Sequence, residues 1–168
     1  MGFFITTPIY YTNDLPHIGH AYTTISCDIL SRFNKLCDKD VFFLSGTDEH
    51  GQKVEKASKN ANLDPQKFVD KLSVNFQKLI PDLGCNINDF VRTTESRHIK
   101  SAQSLWNKLL KNDQIYLSNY EGWYSVRDEA FYAENELTKK NNDLIAPSGA
   151  KVEWIKEESY FFKLSDWQ

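Results

Sequence analysis

The sequence is poor in cysteine, has no excess of basic residues and contains no long apolar run. Its three cysteines, Cys27, Cys37 and Cys85, are scattered and form no CxxC pair. That argues against a disulfide framework and a thiolate zinc site, and fits a reducing compartment. A net charge of -3 over 168 residues excludes a globally basic nucleic-acid binder, although a local basic patch stays open. No apolar run approaches the roughly 20 residues of a membrane span, and the N-terminus lacks the basic, apolar and small-residue segments of a signal peptide. Repeats and low-complexity tracts are also missing. The expectation is a cytoplasmic protein with no membrane segment, and 40% apolar residues are enough for one domain with a real core, or one with a small insertion.

What is present reads as alternating strands and helices. Phe3 to Thr7 is a short β-favouring run without alternation, as in a strand buried on both faces of a parallel sheet. A loop from Pro8 to His17 follows, and Ala21, Ile25, Ile29, Phe33 and Leu36 then recur at helical spacing, predicting a helix over about 18–37 with that face buried. Val41 to Leu44 is a second buried strand that ends at Ser45-Gly46-Thr47-Asp48-Glu49-His50-Gly51. Strand, helix and strand form a βαβ unit whose right-handed crossover brings both polar loops to one carboxyl edge.

Beyond it, a polar helix spans about 52–61. Asp64-Pro65 reads as the N-cap and first residue of a helix buried through Phe68, Leu72, Phe76 and Leu79, which Pro81 and Gly84 stop. Phe90 to Thr93 is a further strand, and Thr94 is expected to cap a helix buried through Ile99, Ala102, Leu105, Trp106 and Leu109. From Ile115 the pattern changes to short aromatic runs, Tyr116-Leu117, Tyr120 to Tyr124 and Phe131-Tyr132, broken by the polar stretch Thr138 to Asp143. Lys151 to Ile155 and Tyr160 to Phe162 are the last strand candidates. The class is α/β, with a small β-rich insertion and an unfinished sheet.

Thr6 to His20 is the stretch where chemistry concentrates. A loop with Pro, Asn and Gly, leading from a strand into a helix N-terminus, sets backbone N–H groups and the positive end of a helix dipole toward an anion such as phosphate. His17 and His20 sit where that helix starts, and each imidazole can donate to a phosphate oxygen. Their spacing, with Ile18-Gly19 between them, fits a metallohydrolase pair poorly; Gly19 leaves room for a base or sugar to approach the backbone. Asp48, with His50 beside it, lies past the second strand. It is either a cap on the following helix or a carboxylate able to hold a substrate ammonium group.

These motifs resemble those of the methionyl members of the class I aminoacyl-tRNA synthetases. The resemblance rests on Thr6-Thr7-Pro8-Ile9-Tyr10-Tyr11, Pro16-His17-Ile18-Gly19-His20-Ala21-Tyr22-Thr23 and Phe42-Phe43-Leu44 with Gly46 to Gly51. Arg92-Thr93-Thr94, Ile115-Tyr116, Tyr120 to Tyr124 and Ser159 to Phe162 extend it along the chain. His17-Ile18-Gly19-His20 is the signature of the class, and the flanking blocks point to the methionyl group.

The resemblance implies a Rossmann-like parallel sheet, the first half of a catalytic domain over 1–115. A connective insertion would occupy 116–158, and 159–168 would return toward the catalytic domain. It also implies activation of L-methionine with ATP and Mg²⁺ to methionyl-adenylate, then transfer to tRNA(Met). His17 and His20 would be catalytic. Pro8, Tyr11, Asn13, His17, Gly19 and His20 would bind ATP, and Ile9, Tyr11 and Asp48 methionine. A monomer is expected.

Two departures accompany the resemblance. Many members hold zinc in the insertion through cysteines, but Ser125, Asp128, Ile145 and Ser148 stand at the matching places. The expectation is no zinc, no metal site, and a knuckle held by packing of Trp123, Tyr124, Phe131, Tyr132 and Trp154. The KMSKS loop also has no counterpart; Lys139-Lys140-Asn141-Asn142-Asp143 lacks its pattern. The chain is therefore expected to be an N-terminal part and a poor catalyst alone. A small nucleotidyltransferase and a noncatalytic tRNA-binding or regulatory fragment are the alternative readings.

Overall fold

The structure, a computed structural model, describes residues 2–140 and 143–168. Asn141 and Asn142, within the expected polar break, lie outside them. The chain divides into two compact units, Met1–Gln103 and Ser104–Gln168.

The first unit contains strands β1 (Phe3–Thr6), β2 (Tyr10–Tyr11), β3 (Val41–Asp48) and β4 (Asp89–Arg92). Its helices are α1 (Ile18–Leu36), α2 (Gln52–Asn60) and α3 (Pro65–Asp82). Every pairing of β3 is parallel. Leu44 pairs with both Thr6 and Asp89, and Thr47 with both Tyr10 and Arg92. It follows that β1 and β2 line one edge of β3 and β4 the other. The segments that leave β2, β3 and β4 therefore emerge at one carboxyl edge, as the βαβ reading requires. The buried residues include Phe43, Val54, Val69, Phe76 and Ile80, and the Asp64 side chain caps α3 by accepting from Gln66 and Lys67 N–H at 3.0 and 3.3 Å.

Helix α1 reverses the expected burial. Its buried residues are Thr24, Asp28, Ser31 and Asn34, whereas Ile25, Ile29, Phe33 and Leu36 are exposed. The buried polar row is tolerated because hydrogen bonds satisfy most of it. Thr24 Oγ1 meets the Tyr10 hydroxyl at 2.7 Å, Asp28 accepts from Asn86 N–H at 3.0 Å and from Arg32, and Asn34 donates to Leu30 C=O at 2.8 Å. Only Ser31 Oγ is left without a partner among the described residues.

The same correction applies elsewhere. Phe4 and Phe42, register partners with rings stacked at 5.9 Å, are 63% and 45% exposed, so β1 and β3 are not buried on both faces. Helix α4 (Ser96–Lys111) has no buried residue, and its stripe of Ile99, Ala102, Leu105 and Trp106 is exposed. Apolar periodicity reports a face suited to burial; it does not supply the element that covers it. The expected Thr94 cap is likewise absent, because that hydroxyl turns to Glu49.

The second unit is a β structure. Strand β5 (Ile115–Ser125) pairs antiparallel with β9 (Glu153–Phe162) from Ile115↔Phe162 to Tyr124↔Glu153, and with β6 (Ala130–Tyr132). The separate aromatic runs of the sequence thus fuse into one long ribbon, and part of the expected polar break instead pairs as β7 (Thr138–Lys140) and β8 (Asp143–Ile145). Trp123 meets Trp154 edge-on at 5.2 Å, and Tyr124 meets Phe131 at 4.8 Å.

A polar centre that the sequence did not reveal joins this packing. Asp128 Oδ2 accepts from Ser125 Oγ at 3.0 Å, from the Tyr132 hydroxyl at 3.1 Å and from Ser148 Oγ. These bonds, that from Ser148 foremost, pull the Asp128 pKa down to about 2.

Close approach of β3 to β4 tolerates no side chain at Gly46, where a Cβ would lie 2.2 Å from the Val91 carbonyl oxygen. Gly46→Ala should therefore lower the unfolding free energy by about 1 to 3 kcal/mol, the usual cost of overpacking. Urea unfolding followed by circular dichroism checks this, and an unchanged midpoint would refute it.

Candidate active site

The loop from β2 to α1 ends in a cap built from two imidazoles. His17 is the N-cap of α1; its side chain accepts from Gly19 N–H at 3.1 Å, while the His20 ring accepts from His17 N–H at 3.1 Å. Both bonds use Nδ1, so the proton of each neutral ring sits on Nε2. The rings stack with centroids 3.9 Å apart. Two parallel donors at a helix N-terminus result, suited to the oxygens of one polyphosphate.

Three amides at the start of α1 are already engaged, and among the described residues the Ile18 amide has no hydrogen bond. Those of His17 and Gly19 are held by the rings, and that of His20 donates to His17 C=O at 3.0 Å. The imidazole Nε2–H groups add two further donors able to meet an anion there. Gly19 also has a local reason, since a Cβ there would stand 2.9 Å from the His17 ring and displace the cap.

His20 rests on an aromatic shelf. Buried Tyr10 meets its ring edge-on at 4.8 Å and Phe76 does so at 5.2 Å, and the Tyr10 hydroxyl lies 3.3 Å from the His20 carbonyl oxygen. Burial first, and the like charge of His17 second, push the His20 pKa below its ordinary value. A neutral ring is what the cap needs, because a proton on Nδ1 would remove the acceptor.

The second cluster forms where β3 ends. Asp48 is the register partner of Tyr11, and its C=O accepts from Thr12 N–H and Oγ1, both at 3.1 Å. Among the described residues its carboxylate has no hydrogen bond or ion pair. It does not cap α2, whose N-cap is Gly51 without a side-chain bond. Gly51 has φ +102°, and a Cβ there would lie 2.4 Å from the Tyr11 hydroxyl, so this glycine lets Tyr11 lie against the loop.

Glu49, next in sequence, has the opposite environment. Its side chain is fully buried. Oε1 accepts from Thr47 Oγ1 and Arg92 Nε at 2.7 Å each, and Oε2 from Arg92 Nη2 at 2.8 Å and from Thr94. Arg92 also holds Asp70 of α3 at 2.6 Å, and these carboxylates, Glu49 first, raise the guanidinium pKa. Of two adjacent acids, one is fully committed and one is free. Sequence reasoning named Asp48 but gave no role to Glu49, Arg92 or Tyr10, because two-sided strand pairing decides which acid is enclosed.

Pro8 and Ile9 lie exposed between β1 and β2, Asn13 lies exposed after β2, and His50 is exposed after β3. Among the described residues, no hydrogen bond or ring contact ties the Pro8, Ile9 or Asn13 side chains to the histidines or to Asp48.

Since folding lowers the His20 pKa, the unfolded chain takes the proton more readily. The cap's contribution is present above the ordinary value of 6.5 and is lost as pH falls through the lowered folded value. An NMR titration of the His20 ring should give a midpoint below 6.5, with protection of the His17 amide, which donates to His20 Nδ1, falling in step. A midpoint above that value would contradict this geometry.

The family described as tRNA synthetases class I (M) matches residues 3–168. Methionine–tRNA ligase of Rickettsia typhi is 59% identical over 166 residues, covering 99% of this chain and 32% of that protein. The Rhizobium meliloti enzyme of the same name is 46% identical over 167 residues, with 99% and 32% covered. Mycobacterium tuberculosis methionyl-tRNA synthetase bound by methionyl-adenylate superposes with a TM-score of 0.90 at 39% identity, covering 99% of this chain and 33% of that one. The chain thus spans about a third of the length of the relatives it matches. Matched from its first strand to its last residue, the chain belongs to the class I tRNA synthetases, in their methionyl group.

Proposed function

We propose that this chain supplies one wall of the site at which a methionine–tRNA ligase activates L-methionine with MgATP and then charges tRNA(Met). The observation that carries this reading is the pairing, at one sheet edge, of two Nε2–H donors with the unpaired Asp48 carboxylate beside Tyr11.

In this reading the methionine carboxylate attacks the α-phosphorus of ATP, forming a P–O bond to the adenylate while the bond to pyrophosphate breaks. No enzyme nucleophile or strong base is required, so positioning and charge stabilisation carry the step. His17 and His20 donate to phosphate oxygens as negative charge grows on the leaving pyrophosphate. Asp48 receives the substrate ammonium through a charge-assisted hydrogen bond, and Tyr11 and Ile9 border the side chain. Pro8, Asn13 and Gly19 border the nucleotide. The free thiols of Cys27, Cys37 and Cys85 fit a cytoplasmic setting, and we take the working form to be a monomer. No described helix is long and apolar enough to cross a membrane. The exposed faces of α1 and α4 are where the remaining length of such an enzyme would pack.

The knuckle residues do not suit zinc. Ser125, Asp128, Ile145 and Ser148 offer one carboxylate and no thiolate, and the carboxylate already accepts four side-chain hydrogen bonds, from Ser125, Arg127, Tyr132 and Ser148. Among the described residues no group of three or more His, Cys, Asp or Glu could hold a metal. Elemental analysis of purified protein should find far less than one zinc per chain; a stoichiometric value would refute the assignment.

Methionine-dependent ATP–pyrophosphate exchange tests the main reading in the enzyme that contains this chain. His20→Ala should cost ~2.7 to 4 kcal/mol of transition-state stabilisation, the range for a lost oxyanion donor. Asp48→Asn should act mainly on the KM for methionine. Exchange left unchanged by both substitutions would overturn the proposal.

A further inference from the structure

We infer that Glu49, Arg92 and Thr93 are positioning residues that hold Asp48 in the orientation needed to receive the substrate ammonium group. This rests on the reading of Asp48 given above and adds a specific device to it.

Asp48 is held through its neighbours. On one side its own carbonyl accepts two bonds from Thr12. On the other side, Thr47 C=O accepts from Thr93 N–H at 3.2 Å and Glu49 N–H donates to Thr93 Oγ1 at 2.9 Å. The residues before and after Asp48 are thus pinned to the segment that follows β4, and Asp48 itself to the segment that follows β2. Alternation along a strand sets the Asp48 side chain opposite those of Thr47 and Glu49, which bond to each other at 2.7 Å.

The buried pair locks this arrangement. Arg92 grips Glu49 with two parallel N–H bonds, a geometry that fixes both planes, and Thr47 and Thr94 fill the remaining acceptor positions. The pair also sorts charge. Arg92 is occupied by Glu49 and Asp70 and so does not compete for Asp48. Glu49, with no exposed side-chain surface, cannot itself take the ammonium. One free negative charge remains where the substrate's positive charge is to sit.

The test uses Arg92→Met, Arg92→Lys, Glu49→Gln and Thr93→Val in the enzyme that contains this chain, with methionine and ATP varied separately in pyrophosphate exchange. We expect the KM for methionine to rise about tenfold for Arg92→Met and Glu49→Gln, with kcat and the KM for ATP within about twofold. Arg92→Lys should recover part of the loss by keeping the charge without the fork. Equal losses in kcat and both KM values, or no change, would overturn the proposal.

Amide exchange in the 168-residue chain gives a readout independent of catalysis. The Thr12 amide, bonded to Asp48 C=O, should exchange about tenfold faster in Glu49→Gln while α3 amides do not change. Should Arg92→Met not fold, Glu49→Gln and Thr93→Val carry the comparison. If the unsubstituted enzyme shows no methionine-dependent exchange, the reading of Asp48 fails. The clamp is then judged by Thr12 alone: faster exchange supports it, and unchanged exchange overturns it.

Discussion

Strand β3 is hydrogen-bonded along both edges, and the placement of the site follows from that constraint. Its N-terminal half pairs with β1, its C-terminal end with β2, and Leu44 to Thr47 with β4 on the far side. Parallel pairing sends every chain reversal the same way, so the loop before α1, the turn after β3 and the segment after β4 arise at one edge. Gly46 is the point of closest approach, where a bare backbone lets Val91 come near. Arg92 and Thr93, which follow Val91, bond to Glu49.

The site uses charge sparingly. In the histidine cap both rings accept through Nδ1, which leaves Nε2 to donate, and Tyr10 and Phe76 pack edge-on against half-buried His20. At the end of β3 one carboxylate is saturated by a guanidinium and two hydroxyls while its neighbour is left unpaired. Desolvation penalises an unpaired charge, so the fold buries the acid that has partners and leaves the other part-exposed at the carboxyl end of β3. The knuckle follows the same rule, with hydroxyl donors gathered on Asp128.

Much of this was legible in order along the chain. The turn residues, the Asp64 cap and the strand–helix alternation gave the elements of the first unit nearly in place, because local propensity and capping act over a few residues. Burial is less legible in the sequence. The periodicity of Ile25, Ile29 and Phe33 predicts that stripe as the inner face of α1, yet Thr24, Asp28 and Asn34 face inward. A periodicity argument assumes that the covering partner lies within the same stretch, and this chain spans about a third of its relatives' length. Long-range hydrogen bonds such as Asp28 to Asn86, 58 residues apart, leave no trace in periodicity.

Strand β2 forms inside the expected loop from Pro8 to His17, and β7 and β8 at the expected polar break. By itself, the sequence determined the principal helices and strands of the first unit, the βαβ crossover, the histidine pair at a helix start and the family to which these motifs belong. Each is fixed by local backbone preference or by a motif read in register. Only the tertiary structure decided which ring nitrogens are free to donate, which of two adjacent acids is enclosed, and that a carboxylate with hydroxyl partners centres the knuckle. Those outcomes depend on segments distant in sequence: Arg92 meets Glu49 across 43 residues and Ser148 meets Asp128 across 20. Strand pairing and the cost of burying an unpaired charge bring them together, and neither is visible to a window moving along the chain.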